Sequence, residues 1–350
     1  QVVHTPLVTP LLGSTCDRRI AVGPDGAPAG ALWASAAVAP EVLAAIAAAP
    51  ATADVELASR WQDAERIAHG EIARHPAATA AERAGATRLL LRLNYKKEDN
   101  PVTRYCYRPL SGPLTRVLLH TPLTPNQVSL AVLILGLFGC WLTALPGQAA
   151  LIWGAAVVFF ASILDGCDGE IARLRLISSP LGAWIDTVVD EISTVAYFIA
   201  IGLHSYAHHP EPWIASTLVV GAICYVAAIY AIYYFCIVVL KAGGSQFYVG
   251  TLEIAEGASG LGLRPKARAR AITSPWLRRL GTIMLSIKTR DFVNLGALLV
   301  SLVNGYLVIY VGMLVGGVVT AAIVVPEHIR LRGQLRELAR RGGTPNLVSP

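Results

Sequence analysis

Four aspartates carry the clearest chemical signal in this sequence. Asp165 and Asp168 are three residues apart, and Asp186 and Asp190 are four apart. Those separations place each pair on one face of a helix. Two adjacent antiparallel helices would then turn all four carboxylates toward one another. Carboxylates so crowded cannot all ionise unless positive charge lies among them. Ionisable groups at the edge of an apolar span are costly and mark functional sites by default. An all-oxygen donor set favours a hard cation, Mg²⁺ or Mn²⁺, over zinc. Two such ions could share the cluster and clamp a phosphate, a common use of a two-metal site. The ordinary alternative is a set of solvated helix-end carboxylates that cap N-termini or pair with Arg173 and Arg175.

The residues between the two pairs extend the same chemistry. Gly169 follows Asp168 and would let a ligand approach the backbone closely. Ala172 is small, and Arg173 offers a forked donor suited to a pyrophosphate. Gly182 lies one turn before Asp186 on the same face, leaving room for a base or a ribose. Each glycine alone could equally serve helix packing. Together they describe a pocket for a nucleotide diphosphate.

The elements that must position these side chains are apolar. Of 350 residues, 54% are hydrophobic and 15% charged, against about 25% charge in soluble globular chains. The apolar residues fall in runs at 128–145, 149–164, 187–203, 213–240, 292–303 and 306–325, several near the ~20 residues that span a hydrocarbon core as a helix. The predicted fold is an all-α bundle of six transmembrane helices over 127–328. It is preceded by a small N-terminal helical region (1–92) and a juxtamembrane interfacial segment (93–126), and followed by a basic tail (329–350).

Lys and Arg cluster before the first run, between 241 and 290, and after the last, whereas the loops at 145–148, 204–212 and 304–305 have none. By the positive-inside rule both termini are cytoplasmic. The net charge of +6 is thereby explained by topology and an anionic inner leaflet rather than by a nucleic-acid partner. The six cysteines show no CxxC spacing, so neither disulfides nor zinc are expected. Residues 1–10 lack the basic and apolar regions of a secretory signal, and the chain opens on Gln rather than Met, so a preceding part is expected to be missing.

The string Asp165-x2-Asp168-Gly169-x2-Ala172-Arg173-x8-Gly182-x3-Asp186-x3-Asp190 resembles the signature of the CDP-alcohol phosphotransferase (phosphatidyltransferase) family, with all eight defining positions filled. The resemblance extends from about residue 96 to the C-terminus. It implies an enzyme that cleaves the phosphoanhydride of a CDP-linked donor, of CDP-diacylglycerol or CDP-inositol type. CMP is released and the substituted phosphate passes to an alcohol or phosphorylated polyol. By motif position, Asp165, Asp168, Asp186 and Asp190 would hold Mg²⁺ or Mn²⁺, two ions in all, with Asp190 also the general base. Gly169, Ala172, Arg173 and Gly182 would line the CDP site.

A homodimer in a bacterial inner membrane is implied by the resemblance alone. The wording of 170–191, of KKEDNPVTR and of TRDF is similar to one branch, the membrane half of bifunctional inositol-phosphate cytidylyltransferase/di-inositol-phosphate-phosphate synthases. Residues 1–92 would then be the tail of a truncated or degenerate nucleotidyltransferase domain. They lack a Gly-rich nucleotide loop, so no cytidylyltransferase activity is expected.

Glu191 and Thr194 depart from the pattern, where many relatives have Arg and Asp. This weakens any transfer of acceptor specificity. Candidate cations for a phosphorylated acceptor are Arg108, Arg116, Arg175, Lys288 and Arg290. Arg108 and Arg116 could instead snorkel to lipid phosphates, and Arg290-Asp291 could be a plain interfacial ion pair. Two rival classes are an ion-coupled transporter with a carboxylate relay and an inactive family member serving as a membrane anchor. The first leaves Arg173 and the glycines unexplained; the second is tested by metal-dependent turnover.

Overall fold

The computed structural model describes residues 2–3, 11, 16–23, 25–50, 52–68, 74–75, 79–93, 100–175, 177, 179–241, 248, 252–257, 260–265 and 289–345. The chain forms two compact units, Gln1–Lys97 and Glu98–Pro350.

The first unit differs from the helical region expected for 1–92. It holds strands β1 (Arg18–Val22), β2 (Pro28–Ala34) and β3 (Glu65–Ala68) with helices α1 (Ala39–Ala48), α2 (Ala53–Arg60) and α3 (Ala80–Leu93). The sheet order is β2-β1-β3, with β1–β2 antiparallel and β1–β3 parallel. A parallel pair needs a crossover, and α1 and α2 supply it. The core gathers Ile20 and Val22 of β1 with Ala45 and Leu57 and the fully buried Trp61. Trp61 donates its indole N–H to Glu41 at 3.0 Å. The alternation of Ala with charged residues suggests helix, but strands of four to seven residues gain their stability from non-local pairing, which sequence periodicity does not register.

The second unit is the helical bundle. A π-helical stretch, Thr103–Tyr107, runs into α4 (Arg108–Leu119). Helices α5 (Pro125–Ala144), α6 (Gln148–Leu174), α7 (Pro180–His208) and α8 (Pro212–Phe235) follow, the last continued by a π-helical turn, Cys236–Leu240. After a two-stranded antiparallel hairpin, β4 (Leu252–Gly257) and β5 (Gly260–Pro265), come α9 (Arg290–Ser301) and α10 (Tyr306–Arg340). The Thr124-Pro125-Asn126 lead-in starts α5 with a capping box. Gln127 N donates to Thr124 Oγ1, and Thr124 N donates to Gln127 Oε1 at 2.9 Å.

Helices α5–α10 coincide with the six apolar runs. Among the described residues, four segments are long and apolar enough to cross a membrane: Pro125–Ala144, Gln148–Leu174, Pro212–Leu240 and Tyr306–Arg340. Helix α7 has 29 residues but carries Asp186, Asp190 and Glu191 in its first half. Helix α9 has 12 residues, about 18 Å at 1.5 Å per residue, short of a ~30 Å hydrocarbon core.

Close backbone approach binds α5 to α6. A Cβ on Gly154 would lie 2.5 Å from Thr143 N, and one on Gly139 would lie 3.0 Å from Val158 N. The bundle core packs Tyr197, Phe198 and Ile201 of α7 against Ile214 and Tyr310. The β4–β5 hairpin is a second departure from an all-α fold. It lies in the stretch between the fourth and fifth apolar runs, whose glycines and basic residues suggest an irregular loop or lid, and its Leu252 and Leu263 pack on Phe235, Val239, Leu331 and Leu338.

Candidate active site

Helices α6 and α7 meet at the turn between Leu174 and Pro180, and the four aspartates flank that turn. Ser179 caps α7, its Oγ accepting from Gly182 N at 3.0 Å, so the N-terminal turn that carries Gly182 and then Asp186 is fixed in place. Carboxylate oxygens of Asp165, Asp168 and Asp186 all lie within 4.8 Å of one another. Asp190 joins this group through Arg290, whose Nη1 donates to Asp190 Oδ1 and whose Nη2 donates to Asp165 Oδ2.

The three converging carboxylates fit a divalent cation. Asp165 Oδ1 is buried and accepts no hydrogen bond, a costly condition for a carboxylate oxygen unless a positive partner belongs there. Asp168, 6% exposed, is oriented by Ser129 Oγ, which donates to its Oδ2, and by Gly169 N, which donates to its Oδ1. The donor set is entirely oxygen, suited to Mg²⁺ or Mn²⁺.

The expected CDP-site residues border this group. A Cβ on Gly169 would sit 3.1 Å from Arg173 Nη1, so the glycine gives the guanidinium its place one turn away on α6. Ala172 is half-buried beside Arg173, and its carbonyl accepts from Ile177 N at 2.9 Å. A Cβ on Gly182 would lie 3.4 Å from Asn126 Oδ1, which brings the start of α5 against the start of α7.

The candidate acceptor cations separate sharply. Arg290 is in the site. Arg108 is buried on α4 and donates to Glu170 Oε1, a carboxylate 2% exposed that also accepts from Ser111 Oγ at 3.0 Å and Thr115 Oγ1 at 2.6 Å. Arg175 donates to the carbonyls of Thr121 and Leu123, both at 2.6 Å, and of Leu119 at 3.2 Å, which closes the C-terminal end of α4. Arg116 is exposed, and Lys288 lies outside the described residues. The two departures from the motif also have partners. Tyr233 OH of α8 donates to Glu191 Oε1 at 3.3 Å, and Thr194 Oγ1 donates to the Asp190 carbonyl at 2.8 Å.

Ser129, Ser162 and Glu170 do not belong to the aspartate spacing pattern. Their signal is a polar residue on an otherwise buried helical face. Ser162, one turn before Asp165, accepts from Asn294 Nδ2, one turn after Arg290.

Known proteins are similar to parts of this chain. The bifunctional IPC transferase and DIPP synthase of Rubrobacter xylanophilus is 51% identical over 92 residues, covering 26% of this chain and 20% of that protein. The phosphatidylinositol phosphate synthase of Mycolicibacterium smegmatis is 37% identical over 101 residues, 29% of this chain and 44% of that protein. The chain thus spans less than half the length of either relative. A crystal structure of Mycobacterium tuberculosis phosphatidylinositol phosphate synthase with CDP-DAG bound aligns at a TM-score of 0.38 and 21% identity, over 65% of this chain and 92% of that one. The sequence model of CDP-alcohol phosphatidyltransferases matches residues 122–325, more than half of the chain and the whole stretch from the α5 lead-in through the aspartates to Arg290. The chain belongs to the CDP-alcohol phosphatidyltransferase family.

Proposed function

We propose that this chain is an integral-membrane CDP-alcohol phosphotransferase. It transfers a substituted phosphate from a CDP-linked donor to an acceptor hydroxyl and releases CMP. The observation that carries this reading is the convergence of Asp165, Asp168 and Asp186 within 4.8 Å, with Arg290 bridging to Asp190. Asp165, Asp168 and Asp186 would hold a divalent ion, with Asp190 completing a second site, and a bound ion supplies charge neutralisation at the donor's phosphate oxygens. Arg173, above Gly169, offers paired donors to the pyrophosphate.

Asp190 serves as general base, taking the proton of the acceptor hydroxyl as its oxygen attacks phosphorus and the bond to the CMP oxygen breaks. In this reading Arg290 is the cation for a phosphorylated acceptor. Gly169, Ala172 and Gly182 leave room for the cytidine diphosphate. The name of the Mycolicibacterium relative, phosphatidylinositol phosphate synthase, supports an inositol-type acceptor, and the matched family supports a CDP-linked donor.

The same reading extends to six spans, the 12-residue α9 crossing only part of the hydrocarbon core, with cytoplasmic termini in a bacterial inner membrane, and to a homodimer. Residues 1–92 would be the tail of a truncated or degenerate nucleotidyltransferase domain, with no cytidylyltransferase activity expected of them.

CMP release from purified chain in lipid tests the reading. CDP-diacylglycerol and CDP-inositol are each paired with inositol phosphate, glycerol phosphate, inositol and serine, in Mg²⁺, Mn²⁺ or EDTA. Metal-dependent release from one pair is expected, falling roughly 10²- to 10⁴-fold in Asp190→Asn. Silence across the panel in folded protein that binds no CDP would overturn it.

A further inference from the structure

Arg290 is the first residue of α9, and the first turn of a helix has backbone donors with no partner inside the helix. The Arg290 guanidinium is held by Asp190 and Asp165, and the direction from which it reaches them depends on what fixes the base of the side chain. Here the segment before α4 grips the residues on both sides of Arg290. Asn100 Nδ2 donates to Thr289 Oγ1 at 3.2 Å, Thr103 Oγ1 donates to the Asp291 carboxylate, and Tyr107 OH donates to the Asp291 carbonyl at 2.9 Å. Residues 100, 103 and 107 follow the three- and four-residue spacing of a single helix face. Asn100 also accepts from Thr103 N at 2.9 Å, so the residue that starts this helix reaches α9 as well.

Burial, and secondarily the nearby Asp291 charge, pushes the Tyr107 phenol well above its usual range, which keeps it a donor. One turn into α9, Asn294 donates to Ser162 of α6, so the helix is fixed on its other side to the element that carries Asp165 and Asp168. Two stretches 188 residues apart in sequence, Asn100-Pro101-Val102-Thr103 and Thr289-Arg290-Asp291-Phe292, thus form one assembly whose centre is Arg290.

We propose that this clasp is a positioning device: Thr103 and Tyr107 set the direction of Arg290 and thereby the affinity of the site for a phosphorylated acceptor. The inference rests on Arg290 being the acceptor-phosphate cation. The guanidinium is held at its tip by Asp190 and Asp165; fixing the base of the side chain as well limits the conformational freedom left to lose on binding a phosphate. A clasp that merely held α9 in place would lower stability and turnover without singling out the acceptor.

The test uses the full chain in lipid nanodiscs. Acceptor and donor KM come from CMP release with the panel substrates, and binding of inositol phosphate and glycerol phosphate is measured by calorimetry. Thr103→Val and Tyr107→Phe each remove one hydroxyl at nearly constant shape. The second change leaves the aromatic ring in place, and with it the edge contact that Tyr107 makes with Phe159 at 5.2 Å. Together they are expected to weaken the acceptor, in KM or in binding, about tenfold with little change in donor KM. Thr103→Ser is expected to restore it. Should Thr103→Val fail to fold, Tyr107→Phe alone carries the test.

A fall in kcat or melting temperature with acceptor affinity unchanged would overturn the proposal, as would equal rises in both KM values. Arg290→Gln separates the two readings. Weakened acceptor binding there but not in the clasp variants removes the clasp and leaves Arg290 in its role. Unchanged acceptor binding in Arg290→Gln, or a wild-type chain that binds neither phosphate, removes both.

Discussion

Asp165 makes two demands on its surroundings, and only one is met by protein. Its Oδ2 accepts from Arg290, while its buried Oδ1 has no hydrogen-bond partner. Leaving a buried polar atom unpaired costs roughly 1–3 kcal/mol, so a cation at Oδ1 would recover energy already spent in folding. Asp165→Asn, which keeps the shape and removes the charge, is expected to weaken Mn²⁺ binding at least tenfold, on the order of the energy of one lost charge-assisted contact. The electron paramagnetic resonance signal of free Mn²⁺ measures this without turnover; unchanged affinity would remove Asp165 from the ligand set. Ser129→Ala tests the neighbouring carboxylate, since Ser129 donates to Asp168. Losing that donor is expected to lower metal affinity by about 1 kcal/mol, roughly fivefold. The aspartates were legible in the sequence because spacing within one helix determines a shared face. Ser129 was not, because its partner lies 39 residues away on another helix and the contact exists only once α5 packs on α6.

At the scale of elements, α4 and the C-terminal part of α6 behave as one laced pair. Arg108, Ser111 and Thr115 converge on Glu170, two residues beyond Asp168, and Arg175 closes the end of α4. Helix α4 therefore holds the stretch of α6 that presents Asp168 and Arg173. Removing one partner of a buried ion pair leaves an uncompensated charge and costs about 3–5 kcal/mol. Arg108→Ala is expected to lower the melting temperature of the purified chain markedly, and Arg116→Ala, at an exposed position, to change stability by no more than about 0.5 kcal/mol. Equal melting temperatures for the two variants would return Arg108 to the role of a surface cation. Apolar runs and the basic-loop alternation made the bundle helices readable, and Thr124-Pro125-Asn126 marked the start of α5. The β4–β5 hairpin was missed although Leu252-Glu253-Ile254-Ala255-Glu256 carries some period-two alternation. The glycines and the basic residues around it suggested an irregular loop, and the burial of its Leu252 and Leu263 depends on Leu331 and Leu338, 68 to 86 residues further along the chain. The short strands of the first unit escaped for the same reason: β1 and β3 find each other across two intervening helices.

For the molecule as a whole, the division into Gln1–Lys97 and Glu98–Pro350 separates the chemistry from the remainder of the chain. Every candidate site residue among the described residues, the Glu170 lacing and the clasp around Arg290 lie in the second unit. The first unit has its own core, with Leu57 and Trp61 almost wholly buried against β1. A unit with its own core can in principle fold alone, and the same holds for the bundle, whose core centres on Phe198, Ile201 and Tyr310. A chain beginning at Glu98 keeps Asn100, Thr103 and Tyr107, so both the metal-ligand set and the support for Arg290 survive the cut. It is therefore expected to insert into membrane, bind Mn²⁺ with wild-type affinity and release CMP with donor and acceptor KM unchanged, when assayed beside the full chain in the same lipid. Loss of Mn²⁺ binding would mean that the bundle needs residues 1–97 to fold. Intact Mn²⁺ binding with a raised KM for one substrate would make the first unit part of the recognition of that substrate, through contacts its own mixed sheet would have to supply.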